Sequence, residues 1–142
     1  MAYALNTKVP IERSQAEIRK ILSKYGATAF AFAENENDAV LMFQMCDRRV
    51  MFKLPLPIRP AKGSTAISIK TYDQTCRSKW RSLVLSIKAK LETVESGISS
   101  FEDEFLSRII LPNGKTVGTT ISKQIEHSYL TNEMPPLLGY YE

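Results

Sequence analysis

The chain has 142 residues, of which 44% are hydrophobic and 24% charged, and a formal net charge of +4. That length fits a single domain able to bury about two-thirds of its unfolded surface without disulfides or metals, and the composition excludes fibrous and disordered classes. The opening MAYALNTKVPIERSQ lacks a cationic head followed by an apolar core, and no apolar run reaches the roughly eighteen residues that span a bilayer; the expectation is a cytoplasmic protein with no membrane partner.

Ser14-Gln15-Ala16-Glu17 reads as a capping box opening the first helix. Ile18, Ile21, Leu22 and Tyr25 then share one face, and Gly26 marks the stop. A three-stranded antiparallel meander follows. In Ala27 to Ala33, Thr28, Phe30 and Phe32 alternate with alanines small enough to let the first helix approach. Ala39 to Cys46 is a mostly apolar central strand, and Asp47-Arg48 a tight connection. Val50, Phe52, Leu54 and Leu56 share a face of the third strand, with Arg49, Met51 and Lys53 opposite. Pro55 and Pro57 require that strand to lie at an edge, because proline donates no ladder hydrogen bond.

Residues 58 to 72 read as a basic connecting loop broken by Pro60 and Gly63, with a short strand at Ala66 to Lys70 as an option. The longest helix is predicted from about Thr75 to Ser96, with Trp80, Leu83, Val84, Ile87, Leu91 and Val94 as its apolar stripe. Arg77, Arg81 and Lys88 lie within about 40° of one another on the edge of that stripe, and Lys79 and Lys90 on the other edge. Gly97 ends the helix. Ser99-Ser100 begins the next, whose acidic first turn, Glu102-Asp103-Glu104, suits the positive end of a helix dipole. Phe101, Phe105 and Ile109 form its buried face. Pro112-Asn113-Gly114 makes a turn, and a last helix from about Thr119 to Leu130 buries Ile121, Ile125 and Tyr129. The tail carries Leu137, Leu138, Tyr140 and Tyr141, apolar enough to dock on the domain or on a partner. The expected fold is one α+β domain: a front part over residues 1–57, the basic loop 58–72 and a helical half over 73–142.

Catalytic chemistry finds little footing. Gly114-Lys115-Thr116 resembles the end of a phosphate-binding loop, but the first glycine of that motif would fall at Ile109. His127, the single histidine, has no nucleophile in a recognisable context, and the acidic clusters serve as caps and loop charges. Cys46 and Cys76 lack further ligands at zinc spacing and read as reduced thiols. The expectation is a non-enzyme without metal or cofactor.

The informative feature is charge segregation. Between Arg48 and Lys90 lie eleven of the nineteen basic residues and one acid, Asp73. A folded domain so patterned carries one strongly positive region, for which a polyanion is the natural partner. Arg49, Lys53, Arg59, Lys62, Lys70, Arg77, Arg81 and Lys88 are the candidate phosphate contacts and Tyr72 the candidate base-stacking ring. A basic row beside an apolar stripe has a second use, cover for the core by its methylene stems.

Trp80-Arg81-Ser82-Leu83, Ile87-Lys88-Ala89-Lys90-Leu91-Glu92, Gly97-Ile98-Ser99, Leu111-Pro112-Asn113-Gly114-Lys115-Thr116-Val117-Gly118 and Met134-Pro135-Pro136-Leu137-Leu138 together resemble a family of small uncharacterised phage and prophage proteins. The resemblance implies a viral setting inside a bacterial cell and leaves the activity open. Two roles follow. One is a nucleic-acid-binding accessory of replication, recombination or genome protection. The other is a protein that binds and modulates a bacterial host protein, such as an inhibitor of a nuclease or a defence system. The order helix, three antiparallel strands, helix also resembles double-stranded-RNA-binding domains, in element order only.

Overall fold

The computed structural model describes residues 4–138; Tyr140 and Tyr141 lie outside the described residues. The expected α+β order is present: α1 (Ile11–Lys24), β1 (Ala29–Glu34), β2 (Asp38–Met45), β3 (Arg48–Pro55), α2 (Ala66–Glu95), the short α3 (Phe101–Phe105), a single 3-10 turn (Leu106–Arg108) and α4 (Val117–Thr131).

Helix α1 starts a turn earlier than the capping box implied. Pro10 stands at its N-cap and no side chain caps it. Continuing the apolar face back to Ile11 places Ser14 among Ile11, Ile18 and Leu22 on the inner side, so Ser14 is buried and its hydroxyl has no hydrogen-bond partner. Glu17 reaches instead to Arg81. Gly26, with φ of 93°, then takes the left-handed conformation that ends the helix, while Ala27 N–H closes onto Leu22 O at 2.9 Å.

The sheet is antiparallel in the order β1-β2-β3. Its inner face carries Phe30 and Phe32, then Ala39, Leu41, Phe43 and Met45, then Val50, Phe52 and Leu54. Its outer face runs in rows: Ala29 beside Gln44 and Arg49, Ala31 beside Met42 and Met51, Ala33 beside Val40 and Lys53. The expectation that the alanines face the first helix is therefore reversed. The strand has one buried face, and two phenylalanines there remove far more apolar area from water than three alanines would. Phe32 meets Trp80 edge-on at 5.6 Å between centroids, and the Arg19 guanidinium lies 5.3 Å from the centre of Phe30.

Helix α2 opens at Ala66, so residues 66–72 are helical rather than loop or strand. Thr65 caps it by accepting from Ser68 N–H at 3.1 Å, and the Ile67–Ile69 alternation yields to that cap because no strand lies alongside to pair with it. At 30 residues the helix is about 45 Å long. Its buried stripe, Cys76, Trp80, Leu83, Val84, Ile87 and Leu91, matches the expected face. Contacts between α1 and α2 advance in step: Ile11 lies beside Arg77, Glu17 beside Arg81 and Tyr25 beside Glu95. The two helices thus run parallel.

Ser100 caps α3, accepting from Asp103 N–H at 3.1 Å. Phe105 fills the centre of the core, edge-on to Phe43 at 5.8 Å and to Phe52 at 6.1 Å. Ile109 and Ile110 then pair with β3, Ile110 N–H donating to Arg49 O at 2.8 Å, which covers that edge of the sheet. Helix α4 is seated through its first turns: Val117 is buried, and Gly118 sits where a Cβ would come within 3.0 Å of Ser107 O. Beyond Ile121 the expected buried face is exposed. Ile125 is half-exposed and Tyr129 is 90% exposed, since no described element lies opposite the second half of the helix. Leu137 and Leu138 are also exposed, so the described part of the tail does not dock. No described helix is long and apolar enough to cross a membrane.

Candidate nucleic-acid interface

The basic residues divide by whether a carboxylate reaches them. Four are held in ion pairs: Arg48 with Glu102 at 3.0 Å, Lys53 with Asp38 at 3.7 Å, Lys90 with Glu104 at 3.4 Å, and Arg81 with Glu17. The last pair is the most enclosed at its cationic end, with the Arg81 side chain 22% exposed. The other fifteen lysines and arginines make no ion pair among the described residues, and six of these, Arg59, Lys62, Lys70, Arg77, Lys79 and Lys88, fall between residues 59 and 88. All six belong to the loop before α2 or to α2 itself, where Asp73 is the only nearby acid in sequence.

The nine candidate residues do not form one surface. Arg49 and Lys53 alternate with Val50, Phe52 and Leu54 on β3, so they project from the outer face of the sheet, away from α2, which covers the inner face. Arg81 is committed to Glu17 at the α1–α2 seam. Lys88 is exposed further along the same edge of α2. Arg59, Lys62, Lys70 and Arg77 gather around the N-terminal half of α2. Tyr72 is partly buried rather than presented as a platform, lining a shallow recess with Pro57, Ile58 and Pro60. Its phenol beside Arg59 is the main cause raising that guanidinium above its ordinary pKa, with Glu34 and Glu36 adding smaller contributions.

The N-terminal half of α2 also has a back face that the sequence reading passed over. Thr71, Thr75, Ser78 and Ser82 recur at helical spacing opposite the Trp80 stripe and floor a groove of about 600 Å³, with Lys70 and Arg77 on one side and Lys79 on the other. Leu5 and Ile67 supply an apolar end. Gln74 organises the wall. Its Nε2 donates to Leu5 O at 3.2 Å and Thr7 O at 2.7 Å, fastening the segment before α1 across α2, and its Oε1 accepts from Arg77 Nη2 at 2.7 Å. Arg77 is thereby aimed by a neutral amide that leaves its charge intact, with four further N–H donors to offer. The signal for this face was in the sequence as a run of hydroxyl residues at positions 71, 75, 78 and 82, between flanking cations.

Neither thiol adds chemistry here. Cys76 is buried, and burial pushes its pKa up, which keeps it a protonated thiol; Cys46 is exposed in the β2–β3 turn. His127 stands on α4 with Nε2 3.6 Å from Glu133. The chain matches no protein-family model, no curated protein and no solved structure.

Proposed function

We propose that this chain is a nucleic-acid-binding accessory protein, phage-encoded as its sequence resemblance implies, that meets the phosphate backbone through the loop before α2 and the N-terminal half of that helix. One observation carries the reading: Arg59, Lys62, Lys70, Arg77 and Lys79 follow one another through the loop before α2 and the first half of that helix, share that stretch with a single acid, Asp73, and make no ion pair among the described residues. An unneutralised cluster of this kind releases counterions from a polyanion and binds it with steep salt dependence. The test is an electrophoretic shift with single- and double-stranded DNA and RNA at two salt concentrations. Wild-type protein is expected to shift at least one of them at about 50 mM salt, and changing Lys62, Lys70, Arg77 and Lys79 together to Ala is expected to flatten the plot of log affinity against log salt by about three, at 0.7 to 0.9 per contact.

A second reading, a small protein that modulates a bacterial host protein such as a nuclease or a defence component, is favoured by the apolar surface at the C-terminal end. Tyr129, Leu130, Met134 and Leu138 are all exposed within ten residues of one another, more than a solvated helix end requires. The absence of any shift at about 50 mM salt would transfer the assignment to this reading.

A further inference from the structure

We infer that the groove on the back of α2 is a single-strand subsite, one that takes a phosphate group together with the sugar or base attached to it; this rests on the nucleic-acid reading above and names the form of strand it selects. Ser78 decides the matter. It is 8% exposed, it lines the groove, and its hydroxyl has no hydrogen-bond partner among the described residues. A hydroxyl so placed is usually satisfied within its own helix; Thr75 does this, donating to Thr71 O at 2.9 Å. The Ser78 hydroxyl is reached by solvent through the groove, so an entering group can replace the water that meets it.

The surroundings define that group. Lys70, Gln74 and Arg77 follow one another at i, i+4 and i+7, so two cations flank the amide that orients the second of them, and the recess beside this row is suited to an oxyanion rather than a cation. Leu5 and Ile67, both exposed, stand at the end of the same groove and offer apolar contact within reach of the charges. A volume of about 600 Å³ is that of a pocket for a small molecule the size of a nucleotide. A duplex keeps its bases stacked inside and presents phosphates on a rigid outer surface, so it can meet the rim but cannot send one phosphate and its nucleoside together into a recess. A single strand can splay them apart.

The experiment measures fluorescence anisotropy of the full chain with a labelled oligothymidylate of about twelve nucleotides and with a duplex of the same length, both at about 50 mM salt. Arg77→Gln keeps a side chain that can hydrogen-bond Gln74, and Ser78→Ala removes one hydroxyl without adding volume; melting curves for both check that the fold is kept. Ser78→Ala is expected to weaken the single strand by about tenfold, the loss of one hydrogen bond to a charged group, while changing duplex affinity less than twofold; Arg77→Gln, which also removes a cation from the rim, is expected to weaken both forms, the single strand by about tenfold more than the duplex. Lys62→Ala, outside the groove, should weaken both alike. Equal losses on both strand forms from Arg77→Gln and Ser78→Ala, or no loss on either, overturn the subsite and leave the broader reading standing. Wild-type protein that binds neither oligomer overturns the broader reading, and the subsite with it.

Discussion

The two halves of α2 belong to one helix and carry basic residues at similar density, yet they live in different worlds. From Trp80 to Leu91 the helix is the spine of the core: its apolar stripe meets Phe32 and the inner face of the sheet, and two of its three cations, Arg81 and Lys90, are matched by Glu17 and Glu104 from the elements beside them, while exposed Lys88 makes no ion pair. From Ala66 to Lys79 it largely outruns the core. Ile67 and Ile69 are exposed, the segment before α1 crosses it, and Lys70, Arg77 and Lys79 make no ion pair, although Glu12 and Asp73 line a recess with Arg77. The difference teaches that a basic residue is structural or functional according to what its neighbours bring, and that periodicity along one helix does not reveal which.

The sharpest way to break this comparison is to cut each half where it is said to matter. Trp80→Ala removes a side chain that is 1% exposed and is expected to cost about 3–5 kcal/mol in urea unfolding, whereas Ile67→Ala should stay within about 0.5 kcal/mol of wild type. Comparable losses at the two sites would mean that the outer half is packed as the inner half is. Charge gives the next contrast. Arg81→Ala breaks a partly enclosed ion pair and should lower stability by about 1 kcal/mol with the salt dependence of nucleic-acid binding unchanged. Changing Lys62, Lys70, Arg77 and Lys79 together should do the opposite, leaving unfolding within about 0.5 kcal/mol and flattening the salt plot. Arg49 and Lys53, on the far side of the sheet, should contribute to neither.

Much of the architecture was legible because it rests on local signals that tertiary packing reinforced: the Phe30–Phe32 alternation, the Trp80 stripe, Gly26 as a stop and the Ser100 cap each act over a few residues. What was not legible depended on long-range geometry. Ser14-Gln15-Ala16-Glu17 has the right letters for a cap, but Ile11 continues the same apolar face, so the helix gains more by starting earlier. The start of α2 was hidden by two isoleucines that alternate as a strand would, in a place where no partner strand exists. The convergence of Arg49 and Lys53 with Arg77 and Arg81 failed because a sheet has two faces and α2 covers only one. The hydroxyl groove went unread since its residues are individually bland and only the segment at Leu5 makes them a recess.

Ser14 offers a test of intermediate size in which the two interpretations differ in sign. If it capped the helix, Ser14→Ala would cost about 1 kcal/mol. Buried mid-helix with an unsatisfied hydroxyl, it should instead be replaced by Ala with a gain of about 1 kcal/mol, because the desolvated oxygen is removed and a better helix former installed. A urea midpoint that falls would restore the cap and shift the start of α1.

The smallest effect belongs to the β2–β3 turn, the point of the sheet farthest in kind from the packed core. Cys46 and Asp47 are its two central residues and both have positive φ, 53° and 58°, a conformation in which a side chain crowds its own backbone and which two-residue hairpins usually assign to Asn-Gly. Both side chains are exposed, and Arg48 Nη1 donates to the Asp47 backbone carbonyl at 3.2 Å, a bond that any residue at 47 preserves. Nothing buried is lost by replacing them, so the pair Cys46→Asn and Asp47→Gly should raise stability by about 0.5–1 kcal/mol through relief of the left-handed strain alone. The measure is a higher urea midpoint at unchanged slope, since the surface exposed on unfolding stays the same. A lower midpoint would show that the Cys46 or Asp47 side chain makes a contact worth more than the strain it causes, and the hairpin would then join the core as a region where side chains outweigh backbone.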